Sequence, residues 1–297
     1  MSTGIRLAVF ALPLVIFAIW GMLYEPDATD SGDIRLSSLP ALPQWADAPL
    51  PDFSVYSDTT DRKNAFFSFL YPRIVLANAR IMIQRQHLMN LSRKDLLDET
   101  EMNWLVQQAE RLRVPAEPGS DEMFDMLARR LDVIPPSLIL AQAANESAWG
   151  TSRFARKGNN LFGQWCFTEG CGLVPRGRVE GASHEVASYS SAYQSARSYI
   201  QNLNRHQAYQ TLRNTREQLR QEGQPLSGHA LAQGLIGYSE RGLEYIREIR
   251  SMIQQNNLTY YDEKYREQVQ DGSDSSSLIN LATAPEEALL PAMADEG

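Results

Sequence analysis

The residues best suited to chemistry lie in the run Gln142-Ala143-Ala144-Asn145-Glu146-Ser147-Ala148-Trp149-Gly150. A glutamate ends an apolar, alanine-rich stretch and stands three residues before an indole. Desolvation disfavours its carboxylate, and the negative end of a helix dipole does the same. Both effects raise the pKa, as a general acid working near neutral pH requires. A glycosidic oxygen is a poor leaving group until it is protonated, so a neutral carboxylic acid is the first requirement for cutting a sugar chain. On composition alone the same glutamate is equally well a solvated side chain at a helix end. Ser147 points elsewhere on a helix, which argues against a nucleophilic serine.

Downstream, Asn160, Phe162, Gly163 and Gln164 form a second polar and aromatic group. An amide and a glycine backbone can hydrogen-bond N-acetyl groups, and an aromatic plate can stack on a pyranose face. Phe162 and Trp149 fit core packing as well as binding. Cys166 and Cys171 are the two cysteines of the chain. In an oxidising compartment they are expected to pair across a tight loop, with two free thiols as the alternative. A zinc site built from both cysteines with His184 and His206 matches no common ligand spacing. Neither a metal nor a cofactor is expected.

These residues need elements to hold them. Helical spacing of Ile74, Ala77, Ile81 and Leu88, then of Leu96, Trp104, Leu105, Ala109 and Leu112, predicts a helical accessory region at 61–117, with a start signal at Ser92 and Asp95. A main domain is expected at 118–260. Ser120 opens a short helix with Met123, Leu127 and Leu131 on its apolar face. Pro135 and Pro136 stop it and start the helix that carries Glu146, with Gly150 placed to end that helix. Strands are predicted near 172–179 and 184–189, joined by a turn at 180–183. Ser191 and Gln194 form a capping box before the next helix. Leu243, Ile246, Ile249 and Ile253 mark a last one. The fold class is α+β, mostly helical, with one small hairpin.

Residues 7–24 form an uncharged, apolar run of eighteen residues, about the minimum for spanning a bilayer. Arg6 precedes it and Asp27, Asp30 and Asp33 follow. This favours an anchor at 1–24 in the inner membrane, with the body in the periplasm. Cleavage as a signal peptide is the alternative. The Pro-rich segment 25–60 reads as an extended linker, and 261–297 as an acidic disordered tail. The net charge of −8 is concentrated there: 262–297 carry nine acids against two bases, whereas 146–260 carry thirteen bases against nine acids. A mildly basic body suits an anionic polymer but lacks the dense basic face of a nucleic-acid binder.

Four blocks in register carry a family resemblance. They are Ala141-Gln142-Ala143-Ala144-Asn145-Glu146-Ser147-Ala148-Trp149-Gly150, Asn159-Asn160-Leu161-Phe162-Gly163, Tyr189-Ser190-Ser191 and Gly237-Tyr238-Ser239. Over about 130–256 the chain resembles the glucosaminidase family of peptidoglycan hydrolases. The resemblance implies a lysozyme-like helical domain with a hairpin lobe, a glycan-strand substrate, and Glu146 as general acid. It also implies that Tyr189 belongs to the binding surface and that Tyr238 stands near the acid, orienting a 2-acetamido group or stabilising charge. Family members carry a second carboxylate on the hairpin. Here Glu169, Glu180 and Glu185 are the candidates, none at the equivalent place. The substrate's own acetamido group is an alternative nucleophile. A lytic transglycosylase and a catalytically weak wall-binding scaffold remain as rival functions.

Overall fold

A computed structural model describes residues 33–178, 181–269 and 275–291. The expected membrane segment at 1–24 lies outside these residues.

The longest element is helix α1 (Thr59–Leu91). The side chain of Asp58 caps it by accepting from the N–H groups of Thr60 and Asp61, and Pro72 is carried inside it. Its middle is buried on every face, from Leu70 through Arg80. Among the described residues it is the one helix long and apolar enough to cross a membrane, but 78% of its apolar window is buried within the protein. A helix apolar all round and wrapped by other elements is a core helix.

Around it stand α2 (Glu99–Arg111), α3 (Asp121–Arg130), α4 (Pro136–Ser147), α5 (Arg153–Gly158), α6 (Ala192–Arg205), α7 (Gln210–Gln221), α8 (Gly228–Leu231), α9 (Leu243–Gln255), α10 (Thr259–Gln268), α11 (Ser275–Thr283) and α12 (Glu286–Leu289). Strands β1 (Trp165–Cys166), β2 (Gly172–Leu173) and β3 (Glu185–Ala187) form a small antiparallel sheet in the order β1-β3-β2. The protein is thus mostly helical with one small sheet. The helix starts at Ser120 and Ser191 are where the sequence places them, each hydroxyl accepting from the N–H three residues on.

Several expectations are corrected. The start at Ser92 moves to Asp98, which forms a capping box with Glu101. The strand expected at 172–179 is only two residues long, and β1 joins the sheet from the Phe162–Cys166 side of the loop. The linker expected at 25–60 is, from residue 33 on, laid against the body: Ala46 and Phe53 are fully buried, and Asp33 takes ion pairs from Arg80 and Arg197. Proline excludes regular hydrogen bonding, not burial. In its described residues, the tail expected to be disordered from 261 completes α10 and forms α11 and α12, with Leu278, Ala282 and Leu289 buried against the core. Its apolar residues recur one helical turn apart, a signal hidden by serines and acids.

The boundary at 117/118 is not a break between cores either. A small cluster joins the end of α1 to both α2 and α3 through Leu88, Trp104, Leu105, Met123 and Leu127. The larger core runs from Ala46 to Leu289 and contains α4, α6 and α9.

Candidate active site

The helix that carries Glu146 is held at both ends. At its N-terminus the Asp262 carboxylate accepts from the Ser137 N–H (2.8 Å), the Ser137 hydroxyl (2.6 Å) and the Gly228 N–H (3.0 Å). A negative charge on otherwise unpartnered first-turn amides is the favoured arrangement there. At the C-terminus the helix stops at Ser147, three residues before the expected Gly150. Ala148, Trp149 and Gly150 all take left-handed backbone conformations (φ 50°, 58° and 74°). Buried Ser147 fixes that turn: its hydroxyl donates to the Ala143 carbonyl and accepts from the Gly150 N–H. Left-handed backbone is costly for a tryptophan. Here its ring packs edge-on against Phe66 and Phe67, with centroids 6.0 and 5.3 Å away.

Glu146 therefore sits in the last turn of α4, at the negative end of the helix dipole, half-buried. Its Oε1 accepts from the Tyr245 hydroxyl at 2.7 Å and from the Asn145 amide at 3.4 Å. Tyr245 is itself held from behind. The Gln142 amide nitrogen donates to the Tyr245 oxygen at 2.9 Å, and the Tyr199 hydroxyl donates to the Gln142 carbonyl. Because that amide occupies the phenol's acceptor side, the Tyr245 proton is directed at Glu146. Among the described residues nothing hydrogen-bonds Oε2. It faces Gly163, where an added Cβ would stand 3.9 Å away. Gly163 is exposed and has φ +64°, a conformation that suits glycine.

Burial pushes the Glu146 carboxyl above its ordinary range. The Tyr245 and Asn145 hydrogen bonds oppose this, while the negative charge of Glu248 adds to it. Burial, then the charge at Glu146, also hold Tyr238 and Tyr245 well above the usual phenol range, so both remain donors.

A family model described as Mannosyl-glycoprotein endo-beta-N-acetylglucosaminidase (Glucosaminidase) matches residues 121–258, the span from α3 to the end of α9. The chain is also 36% identical over 208 residues to Protein bax of Escherichia coli (strain K12), covering 70% of this chain and 74% of that protein. The chain belongs to the glucosaminidase family. No solved structure matches it. Membership in the glucosaminidase family supports hydrolysis of glycosidic bonds in a peptidoglycan-type glycan.

Within the glucosaminidase domain the remaining expected site residues are placed differently from one another. Asn160 is buried and fully engaged: its amide nitrogen donates to the Gln164 and Ala187 carbonyls, and its oxygen accepts from the Phe162 and Gln164 N–H groups. It shapes the loop that presents Gly163 and is not open to a ligand. Phe162 is buried and stacks on Tyr199, with centroids 4.1 Å apart, so it is not a surface plate. Gln164 is buried, and its side-chain oxygen accepts from the Tyr189 hydroxyl, tying Tyr189 to the same loop. Tyr238 donates to the Phe162 carbonyl at 2.8 Å and stacks on Tyr245. It supports the phenol that reaches the acid, instead of reaching it.

Among the described residues, the hairpin carboxylates do not supply a second acid. Glu185 is buried, and its two oxygens accept from the Gly170 and Gly172 N–H groups. It ties down the loop closed by the Cys166–Cys171 disulfide, which forms as expected. Those three residues bring metal-ligand atom types within 4.8 Å of one another, but the sulfurs are bonded together and the carboxylate is occupied by amides. Glu169 is exposed on the same loop. Glu180 lies outside the described residues. His184 stacks on Trp165 and His206 accepts from the Ala208 N–H.

Sequence reasoning did not assign roles to Tyr245, Tyr199, Gln142 or Asp262. One signal was within reach. Gln142 lies four residues before Glu146, hence on the same helix face, and is a polar residue in an otherwise apolar segment.

Proposed function

We propose that this protein cleaves the glycan strand of peptidoglycan by hydrolysis at N-acetylglucosamine linkages, with Glu146 as general acid. The observation that carries the reading is the asymmetry of that carboxyl group. One oxygen is anchored by Tyr245, and the other faces exposed Gly163 with no hydrogen bond from any described residue. A half-buried acid whose pKa burial raises keeps its proton to higher pH than a free glutamate, as a general acid needs.

In this mechanism Oε2 gives its proton to the bridging oxygen of a strand lying over Gly163, and the C1–O bond breaks as the proton arrives. The Tyr245 hydrogen bond then stabilises the Glu146 carboxylate that is left. Since Glu185 is engaged by backbone amides, the reading favours the substrate's 2-acetamido oxygen as the group that attacks C1. Water later opens that ring, returning its proton to Glu146, so the acid is restored and one bond has gained H₂O. A lysozyme-like arrangement, with the acid between a helical lobe and the small sheet, belongs to the same reading. So does the placement of the body in the periplasm on a 7–24 membrane anchor, supported by the disulfide and by that apolar run.

The test is product analysis of sacculi digested with the full chain and with Glu146→Gln. Reducing N-acetylglucosamine ends, absent with the variant, are expected. Anhydro-muramyl ends instead would replace hydrolysis by transglycosylation. Sacculi bound but uncut by the wild type would favour the scaffold.

A further inference from the structure

The segment between Tyr238 and Tyr245 borders the acid. The two rings stack, with centroids 5.3 Å apart, and the Tyr238 hydroxyl donates to the Phe162 carbonyl beside Gly163. Arg241 stands in this segment and reaches along α9 to Glu248, its Nη1 donating to the carboxylate at 2.7 Å. Tyr245 lies between them, four residues after one and three before the other, so the three side chains follow one stripe. The tyrosine turns inward to Glu146, whereas the ion pair faces solvent, its side chains 53% and 36% exposed. After burial and the Tyr245 and Asn145 hydrogen bonds, the charges of Glu248 and Arg241 act on the Glu146 carboxyl. The pair thus stands at the mouth of the site.

An exposed ion pair adds little to stability. Among the described residues only Nη1 of the guanidinium is engaged, which leaves the Nε and Nη2 edge open. That edge is the fork that takes a carboxylate through two parallel hydrogen bonds. Apolar surface adjoins it: Ile236 and Leu243 are 44% and 54% exposed, and the Ile236 side chain reaches Gly242.

A glycan strand cut at N-acetylglucosamine supplies a matching group. The oxygen that Glu146 protonates is then O4 of the following muramic residue. The neighbouring carbon of that sugar, C3, carries a lactyl ether. This is a methyl group beside a carboxyl that is either free or joined to a peptide with carboxylates of its own. A cation beside the acid is therefore next to the anionic substituent of the leaving sugar.

We propose that Arg241 is a specificity-determining residue that binds a carboxylate on the lactyl side chain of the leaving muramic residue, or on the peptide attached to it. Glu248 holds the guanidinium before a strand arrives and competes with that carboxylate for it. The inference rests on the reading of Glu146 as the acid at the bridging oxygen, and adds which strands the site prefers.

The experiment measures binding to the full chain carrying Glu146→Gln, alone and combined with Arg241→Gln or Glu248→Gln. The probes are glycan strands freed of peptide, the same strands with every lactyl carboxylate converted to a methylamide, and strands with peptides intact. A carboxylate-bearing strand is expected to bind roughly tenfold tighter than the methylamide strand, as a charge-assisted pair implies. Arg241→Gln should erase that ratio and Glu248→Gln should enlarge it. A pair that merely held α9 in place would respond alike to loss of either partner. Preference for the peptide-free strand assigns the carboxylate to the lactyl group; preference for the peptide-bearing strand alone assigns it to the peptide. The proposal is overturned if no strand binds, if neither charged strand outbinds the methylamide, or if the two substitutions move the ratio in the same direction. Product analysis with the wild type judges hydrolysis separately: N-acetylglucosamine ends released without an Arg241-dependent ratio defeat this inference alone, and the ratio without such ends defeats the hydrolytic reading alone.

Discussion

The hydroxyl of Tyr245 donates to Oε1 of Glu146 at 2.7 Å across ninety-nine residues of sequence. That bond ties α9 to the last turn of α4, and it turns the second oxygen of the acid toward Gly163. It also opposes the burial that raises the Glu146 pKa, because it stabilises the charged form.

Replacing Tyr245 by Phe removes that opposition. The Glu146 pKa should then rise further, and the alkaline limb of kcat/KM, which reports deprotonation of the acid in the free enzyme, should move to higher pH. The plateau should fall, since the phenol no longer stabilises the carboxylate left by proton transfer. A pH–rate profile on a soluble glycan checks both; a limb that stays in place or moves down contradicts the assignment.

Gly163→Ala should depress turnover with little effect on the fold elsewhere. The residue has φ +64°, where a side chain is strained, and the new methyl would stand 3.9 Å from Oε2, in the space assigned to the bridging oxygen. A loss of roughly tenfold or more in kcat/KM is expected, as displacing a substrate by about an ångström can cost more than that. Near-normal kinetics would mean that the strand does not pass over Gly163.

Glu185→Gln separates structure from catalysis. An amide nitrogen cannot accept from Gly170 or Gly172, so one partly buried N–H loses its partner at a cost of about 1 kcal/mol. The thermal midpoint should drop, while the rate of the folded protein stays within a few-fold of wild type. Glu146→Gln should do the reverse, losing about 10²–10⁴ in kcat, the usual contribution of a general acid. If Glu185→Gln instead abolishes turnover without a loss of stability, Glu185 is the second carboxylate after all.

Asp262 gives a pH signature in stability. Burial, partly offset by hydrogen bonds from Ser137 and Gly228, pushes its carboxyl up from 3.8 to about 6. Between those values the folded state keeps a proton that the unfolded chain releases. Stability from this group therefore declines as pH rises from about 4 to 6 and is level above, by on the order of 3 kcal/mol in all. Denaturant unfolding of wild type and Asp262→Asn across this range should show their difference shrinking or growing only inside that window. A difference constant with pH would contradict the raised value.

What the sequence carried by itself was local. The period of apolar residues, the caps at Ser120 and Ser191, the proline pair opening α4 and the Ala-rich approach to Glu146 depend on neighbours within one or two turns, so they are legible along the chain. The pairing of Cys166 with Cys171 belongs with them, being five residues apart. Folding alone decided which groups meet across the core. Tyr245 reaches the acid while Tyr238 buttresses it, Asn160 is consumed by its own loop, and Glu185 by the disulfide loop. Residues 33–58 and 275–291 read as polar and irregular, yet pack on α1, because a few apolar anchors such as Phe53 and Leu278 suffice once a complementary surface exists. Composition reports what a segment would do alone; burial and hydrogen-bond partners depend on surfaces that only the folded chain brings together.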